Sequence, residues 1–343
     1  MRSSLLAAAL AVLLGPSGYH YEFPRDHFSH PEFETEWWYY TGNLQTPDHH
    51  RFGFELTFFR QAIEPVAGET GVWRADQLYL AHLALTDIDG GHFYHTERLN
   101  RAGPGLAGAD LNQQEYWNGN WRVRWKSLTT AEQELQAVCD RFTLTLDLKP
   151  EKPFVIHRKA SPYISFSRLA ADGTLQWNGQ TLPLQGLAWM DHEFFHRRPG
   201  GGLGAWDWFS AQFDNGEELM LYRIRSNPDL SSGTYIDARG AAHSLDHTQF
   251  SVVPGARWKS PHSGAEYPVA WEISVPSLQL HLTERTAVSD QELFTAQSVS
   301  PIYWEGAVTY TGRMRDRPIQ GAGYLEMTGY ARDSRRTLPA APK

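Results

Sequence analysis

The sequence predicts an all-β fold: two antiparallel β-barrels packed together. Three observations point there. Almost every ordered-looking stretch alternates with period two, neighbouring stretches are joined by hairpin turn chemistry, and the strands are too many for one barrel. Trp38–Leu44 and Arg51–Phe59 flank a Thr-Pro-Asp turn, and Leu78–Thr86 and His92–Leu99 flank Asp87-Ile88-Asp89-Gly90-Gly91. Phe209–Phe213 and Glu218–Arg225 flank Asp214-Asn215-Gly216. Asp-Gly and Asn-Gly supply the positive φ that tight hairpins need. Further strand-like runs are Trp121–Trp125, Arg141–Leu148, Ile164–Leu169, Leu175–Trp177 and Leu184–Met190, then Trp271–Val275, Leu278–Thr283, Ala307–Thr311 and Gly323–Tyr330. Thr129–Ala137 is the best candidate for a helix. Roughly sixteen to eighteen strands would fill two eight-stranded barrels, each wide enough for one small ligand.

Chain length agrees, since 343 residues exceed one typical small domain. The strongest break is Arg197-Arg198-Pro199-Gly200-Gly201-Gly202-Leu203-Gly204, which sets the expected boundary. Residues 1–18 read as a signal peptide, 19–198 as the first barrel, 199–332 as the second and 333–343 as a flexible tail. The leader reading rests on Arg2, ten apolar residues from Leu5 to Leu14, and Gly15-Pro16-Ser17-Gly18. Ten residues are too few for a membrane-spanning helix. A periplasmic or secreted location is therefore expected, with no integral membrane segment in the mature chain.

Composition narrows the function. With 41% apolar and 20% charged residues the chain can build real cores. A net charge of −8 disfavours nucleic acid. The single cysteine, Cys139, excludes an internal disulfide and a cysteine metal cluster, and it reads as a small buried hydrophobe. The 13 Trp, 15 Tyr and 17 Phe residues suit either packed strands or the walls of an apolar cavity.

Several clusters set carboxylates among rings. His192-Glu193-Phe194-Phe195-His196 matches H-E-x-x-H, but that zinc chemistry needs a helix, and this run follows a strand and ends at Pro199. No metal and no cofactor are expected. Asp191, His192 and Glu193 are the candidate catalytic groups, because carboxylates beside an imidazole at the end of an apolar strand can be tuned into a general acid. The competing reading of these three is a polar network that ties the barrels together. Candidate ligand-binding residues are Glu36, Trp38, Tyr40, Trp189, Trp206, Trp208, Tyr222, Trp304, Glu305 and Glu326. Alternation sends neighbouring side chains to opposite faces, so each cluster can offer only part of itself to one cavity.

The string His30-Pro31-Glu32-Phe33-Glu34-Thr35-Glu36-Trp37-Trp38-Tyr39-Tyr40-Thr41-Gly42-Asn43-Leu44 resembles the opening of a known family. That family contains the carotenoid 1,2-hydratases (hydroxyneurosporene synthases) and the AttH-type lipocalin-like proteins. Gly186–Phe194, Trp206–Ser210 and Gly323–Tyr330 resemble three further blocks of it. The resemblance implies two lipocalin-like (calycin) barrels, and it lies closer to the AttH branch. In the hydratase branch a His-x-Trp stands where this chain has His192-Glu193-Phe194, so Phe194 departs from that pattern. The main expectation is an exported protein that binds a hydrophobic, lipid- or isoprenoid-like molecule and works with an ABC-type permease. The alternative is a cofactor-independent hydratase that adds water to an isoprenoid double bond.

Overall fold

A computed structural model describes residues 11–63, 76–196, 205–294 and 302–331. The expected boundary at 197–204, the first part of the leader and the tail lie outside these residues. Among the described residues almost all regular structure is antiparallel strand. No helix of the described residues is long and apolar enough to cross a membrane.

The all-β class is as the sequence predicts, in the form of one nearly closed barrel and one half-barrel. A twelve-stranded sheet draws its strands from residues 35–195. At its centre Gln180–Phe195 lies between Thr35–Gln45 and Tyr163–Trp177, and beyond Thr35–Gln45 come Arg51–Ala62, Gln77–Asp87 and His92–Arg101. The far end of the sheet curls back until Glu115–Asn118 packs on the last three of these strands. Side chains complete the closure: the Asn118 amide donates to the Tyr79 carbonyl at 3.0 Å, and Asn100 donates to Asn118 at 2.6 Å. The ten-stranded second sheet draws on residues 206–328, with Trp206–Phe213 between Glu218–Ile224 and Arg317–Thr328, and it stays open as a half-barrel.

Period-two burial explains both interiors. Trp38, Tyr40, Phe52, Phe54, Leu56, Tyr116, Trp121 and Trp125 point into the first barrel, each at most 1% exposed. Trp271, Trp304, Tyr267, Tyr310 and Leu325 do the same in the second. Each such side chain contributes about 2–3 kcal/mol by leaving water. This corrects the expected hollow: the aromatic side chains fill the interiors instead of lining them. A hollow of about 250 Å³ lies at the rim of the first barrel beside Arg98, Trp121 and Cys139. An open one of about 360 Å³ lies at the sheet junction beside Arg168, Leu187 and Gln212. Neither is lined by a candidate site residue.

The expected helix at 129–137 is also corrected. Glu132–Val138 is a strand between Trp121–Ser127 and Phe142–Pro150. Gln133, Leu135 and Ala137 are buried while their neighbours are not, so its apolar face has the strand period.

The outer faces of the central strands of both sheets meet in a buried seam. Tyr39, Trp189, Trp208, Met220, Ala307 and Tyr324 form its apolar part. Polar contacts cross it: Asn43 donates to the Gly323 carbonyl at 3.1 Å, Gln212 to the Ala188 carbonyl at 2.9 Å, and His82 meets the Tyr303 hydroxyl at 2.6 Å. Gly53 allows the closest approach, since a Cβ there would lie 2.7 Å from Ala307 Cβ and 2.9 Å from the Tyr324 hydroxyl.

Candidate functional site

The strand Gln180–Phe195 decides where the chemistry goes. Its even residues Ala188, Met190, His192 and Phe194 enter the first barrel, and Trp189, Asp191 and Glu193 enter the seam. Across the ladder Asp191 stands opposite Tyr39, His192 opposite Trp38, and Glu193 opposite Trp37. The three catalytic candidates are therefore split. His192 cannot form one acid–base unit with Asp191 and Glu193, because adjacent strand residues face opposite ways.

On the first wall of the seam, Asp191 accepts hydrogen bonds from the Tyr163 and Ser165 hydroxyls and from Trp189 Nε1 at 2.5 Å. Burial pushes its carboxyl up to about 7, although those donors favour the charged form. Behind it, His157 Nε2 lies 2.6 Å from Ser165 Oγ, and its other nitrogen lies 2.8 Å from Thr234 of the second sheet. Glu193 is paired with Lys159 at 3.0 Å and bonded by the Ser161 hydroxyl. The Lys159 ammonium lies 3.9 Å from the centre of the Tyr222 ring.

The second wall carries Trp206, Trp208, Tyr222, Glu305 and Glu326. Glu305 and Glu326 stand directly opposite each other on paired strands, and Trp208 stands opposite Glu326 on its other side. Cβ atoms so placed are about 5 Å apart, where two like charges repel strongly in a dry site. Burial and the neighbouring Glu326 hold the Glu305 carboxyl well above its usual range, while the Tyr39 hydroxyl donates to it at 2.6 Å. Burial likewise pushes Glu326 up to about 7. Glu55, fully buried beside them, is pushed up to about 8 by burial and keeps one oxygen without a partner. Trp37, Trp206, Tyr222 and Glu326 keep partial exposure, which places the accessible mouth of the seam here.

The remaining candidates face the interiors. Trp304 is buried in the half-barrel, with Nε1 donating to the Ser289 carbonyl at 2.8 Å. Trp38 stacks on His192 with ring centres 4.9 Å apart, and Tyr40 donates to Gln133 at 2.6 Å. Glu36 forms the centre of a second polar cluster. Its Oε1 lies 2.7 Å from His30 Nδ1 and 2.8 Å from His192 Nε2, and its Oε2 accepts from Arg60 Nε at 2.7 Å and the His30 N–H at 2.9 Å. Burial would raise the Glu36 carboxyl, but the contacts from His192 and His30 hold it well below the usual carboxylate range. Burial lowers His192, whereas His30 is raised against burial by Asp26 and Glu36.

Sequence reasoning missed Tyr39, Glu55, His157, Lys159, Tyr163 and Ser165 in the seam, and His30 and Arg60 in the barrel. Glu55 carried a readable signal, as a carboxylate inside the apolar run Phe54–Phe59. The others depend on which strands become neighbours.

Fold and site together define an all-β protein of two calycin-like sheets with an acid-rich, aromatic seam between them. The profile of the AttH-like family matches residues 15–330, and the chain belongs to that family. The crystal structure of a candidate AttH from Nitrosomonas europaea superposes with a TM-score of 0.80 at 31% identity, over 92% of this chain and 98% of that one. Kievitone hydratase from Nectria haematococca shares the fold with a TM-score of 0.71 at 13% identity, over 94% of each chain. In sequence, the kievitone hydratase of Fusarium solani subsp. phaseoli is 23% identical over 154 residues, 42% of this chain and 41% of that protein. The dehydratase AsqC of Emericella nidulans is 20% identical over 152 residues, 42% of this chain and 43% of that protein. The chain thus matches about two fifths of the length of these curated relatives.

Proposed function

We propose that the seam is the active site of a cofactor-independent hydro-lyase acting on an apolar small molecule, adding water to a carbon–carbon double bond or removing it from the corresponding alcohol. The observation that carries this reading is the pair Glu305–Glu326, opposed across one ladder, facing Asp191 on the other wall with Trp208 beside them. Two carboxyls so close in a dry site share a proton, as paired carboxyls do in other acid–base sites. Glu326, at the accessible mouth, gives its proton to one alkene carbon and leaves a cation on the other. Trp206, Trp208 and Tyr39 surround that position, and each ring face can stabilise a desolvated cation by about 2 kcal/mol. Water then adds to the cation through oxygen and loses its extra proton to Asp191 or back to Glu326. Dehydration runs the same steps in reverse. The hydratase and dehydratase among the distant relatives support this reading.

The test is turnover of a neurosporene-type polyene and of a prenylated phenol in ¹⁸O-labelled water. The reading expects an ¹⁸O-bearing alcohol whose formation is lost in Glu326→Gln and Asp191→Asn. No labelled product from either class would defeat it. Export belongs to the same proposal, on the strength of Arg2 followed by Leu5–Leu14. A permease partner is proposed on the AttH-like resemblance alone. N-terminal sequencing of protein recovered from the periplasm or medium checks export, and an uncleaved protein confined to the cytoplasm would oppose it.

A further inference from the structure

The cluster inside the first barrel is separate from the seam, and the hydro-lyase reading makes no use of it. Two stretches distant in sequence build it, one supplying His30 and Glu36 and the other His192. His30 comes from the turn before the first long strand, Glu36 from that strand, and His192 from the strand beside it. Each is at most 2% exposed, and one donor atom from each lies within 4.8 Å of the other two. We propose that His30 Nδ1, Glu36 Oε1 and His192 Nε2 hold a single divalent transition-metal ion of the zinc class.

The donor set fits such an ion. Two imidazole nitrogens and one carboxylate oxygen are the ligands that zinc takes in His₂Glu sites, with bonds of about 2.0–2.2 Å. Tetrahedral bonds of that length set neighbouring donors roughly 3.3 Å apart. The Glu36 contacts are 2.7 and 2.8 Å, and both imidazoles aim at Oε1 itself, so an ion on their lone-pair axes takes the place of that oxygen and the Glu36 side chain must swing back by about one 2 Å metal–oxygen bond to ligate it.

The surrounding contacts fit as well. A ligating imidazole commonly gives its other N–H to a carboxylate, and His30 Nε2 lies 3.3 Å from Asp26 Oδ1. Arg60 Nε and the His30 N–H take up Glu36 Oε2, which leaves Oε1 turned to the two rings. Arg60 is fixed in turn by the His30 and Phe33 carbonyls at 2.8 and 2.7 Å. The H-E-x-x-H string contributes only its first histidine. His196 lies at the end of the strand, stacked on Phe33 with ring centres 4.8 Å apart, so the second imidazole comes from His30, which no spacing rule connects to it.

The experiment uses the full chain, purified without a metal-affinity tag and without chelators. Elemental analysis is followed by stripping with dipicolinate and titration with Zn²⁺ and with Co²⁺. The proposal expects one ion per chain and, with a solvent molecule as fourth ligand, the visible absorption of four-coordinate cobalt. Both should be lost in Glu36→Gln and His192→Gln variants that keep the wild-type circular dichroism. Asp26→Asn should weaken binding by about 10- to 100-fold. Wild-type protein that takes up no stoichiometric metal overturns the proposal, and so does undiminished binding by the folded variants. Glu326→Gln should retain the metal while losing turnover, so the two proposals fail separately.

Discussion

Asp191 and His192 are neighbours on one strand, yet they enter two regions that treat buried carboxylates in opposite ways. In the seam, Asp191, Glu305 and Glu326 are all raised; in the barrel, Glu36 is lowered. Burial raises every one of them, so burial cannot explain the difference. The partners explain it. Neutral hydroxyls, an indole N–H and other carboxyls surround the seam acids, whereas Glu36 meets an arginine and two imidazoles. At Glu36 the hydrogen bonds from His192 and His30 outweigh desolvation, whereas at Asp191 the hydroxyls and the indole do not. The seam therefore stores protons, and the barrel stores a fixed negative charge.

Removing a partner from each region should break this comparison most clearly. Arg60→Met leaves Glu36 buried without its guanidinium and is expected to cost about 3–5 kcal/mol in denaturant unfolding. Asp191→Asn keeps a hydrogen-bonding amide in the seam and should cost less than about 1.5 kcal/mol while removing turnover. Equal losses in the two variants would dissolve the distinction.

The next effect is on pH. A carboxyl raised in the folded state binds its proton more tightly there than in the unfolded chain. Its contribution is full below the ordinary carboxylate value and is lost as pH rises through the folded value. For Glu326, at about 7, and Glu55, at about 8, stability should therefore fall between about pH 4.5 and 8. Turnover that uses the Glu326 proton should fall above about pH 7. Glu55→Gln should flatten the stability profile in that window, read from unfolding midpoints across pH. A wild-type profile that rises through the window would contradict the assignment of protons to the seam.

Smaller effects sharpen the picture of how the walls meet. Gly53→Ala should cost about 1–3 kcal/mol, because its Cβ would press on Ala307 and Tyr324. Lys159→Gln leaves the buried Glu193 with the Ser161 hydroxyl but without its ammonium and should cost about 1–3 kcal/mol in the same assay.

Much of this fold was legible because alternation and turn chemistry are local. The hairpins at 38–59, 78–99 and 209–225 stand where Asn, Asp, Pro and Gly place them. The Thr129–Ala137 segment misled because Ala, Glu, Gln and Leu favour helices by propensity, while the burial of Gln133, Leu135 and Ala137 follows strand neighbours that composition cannot reveal. Trp189, Asp191 and Glu193 could be seen as an acid-and-ring block. Their separation from His192 follows from the strand period, which the single list of catalytic candidates did not respect. Glu305 and Glu326 were visible one by one, but their opposition depends on the register of two strands. The filled interiors could not be read, since a Trp that lines a cavity and a Trp that plugs it are the same letter. Arg60 joined Glu36 through strand pairing, and His30, six residues upstream, through the bend of the loop before the strand.

The claim that the seam holds protons at neutral pH can be measured directly by infrared spectroscopy of the carboxyl stretch. Wild-type protein at pH 7 should show a protonated-carboxyl band, and Glu305→Gln and Glu55→Gln should each weaken it while Glu36→Gln leaves it in place. A spectrum at pH 7 with carboxylate bands alone would contradict the account.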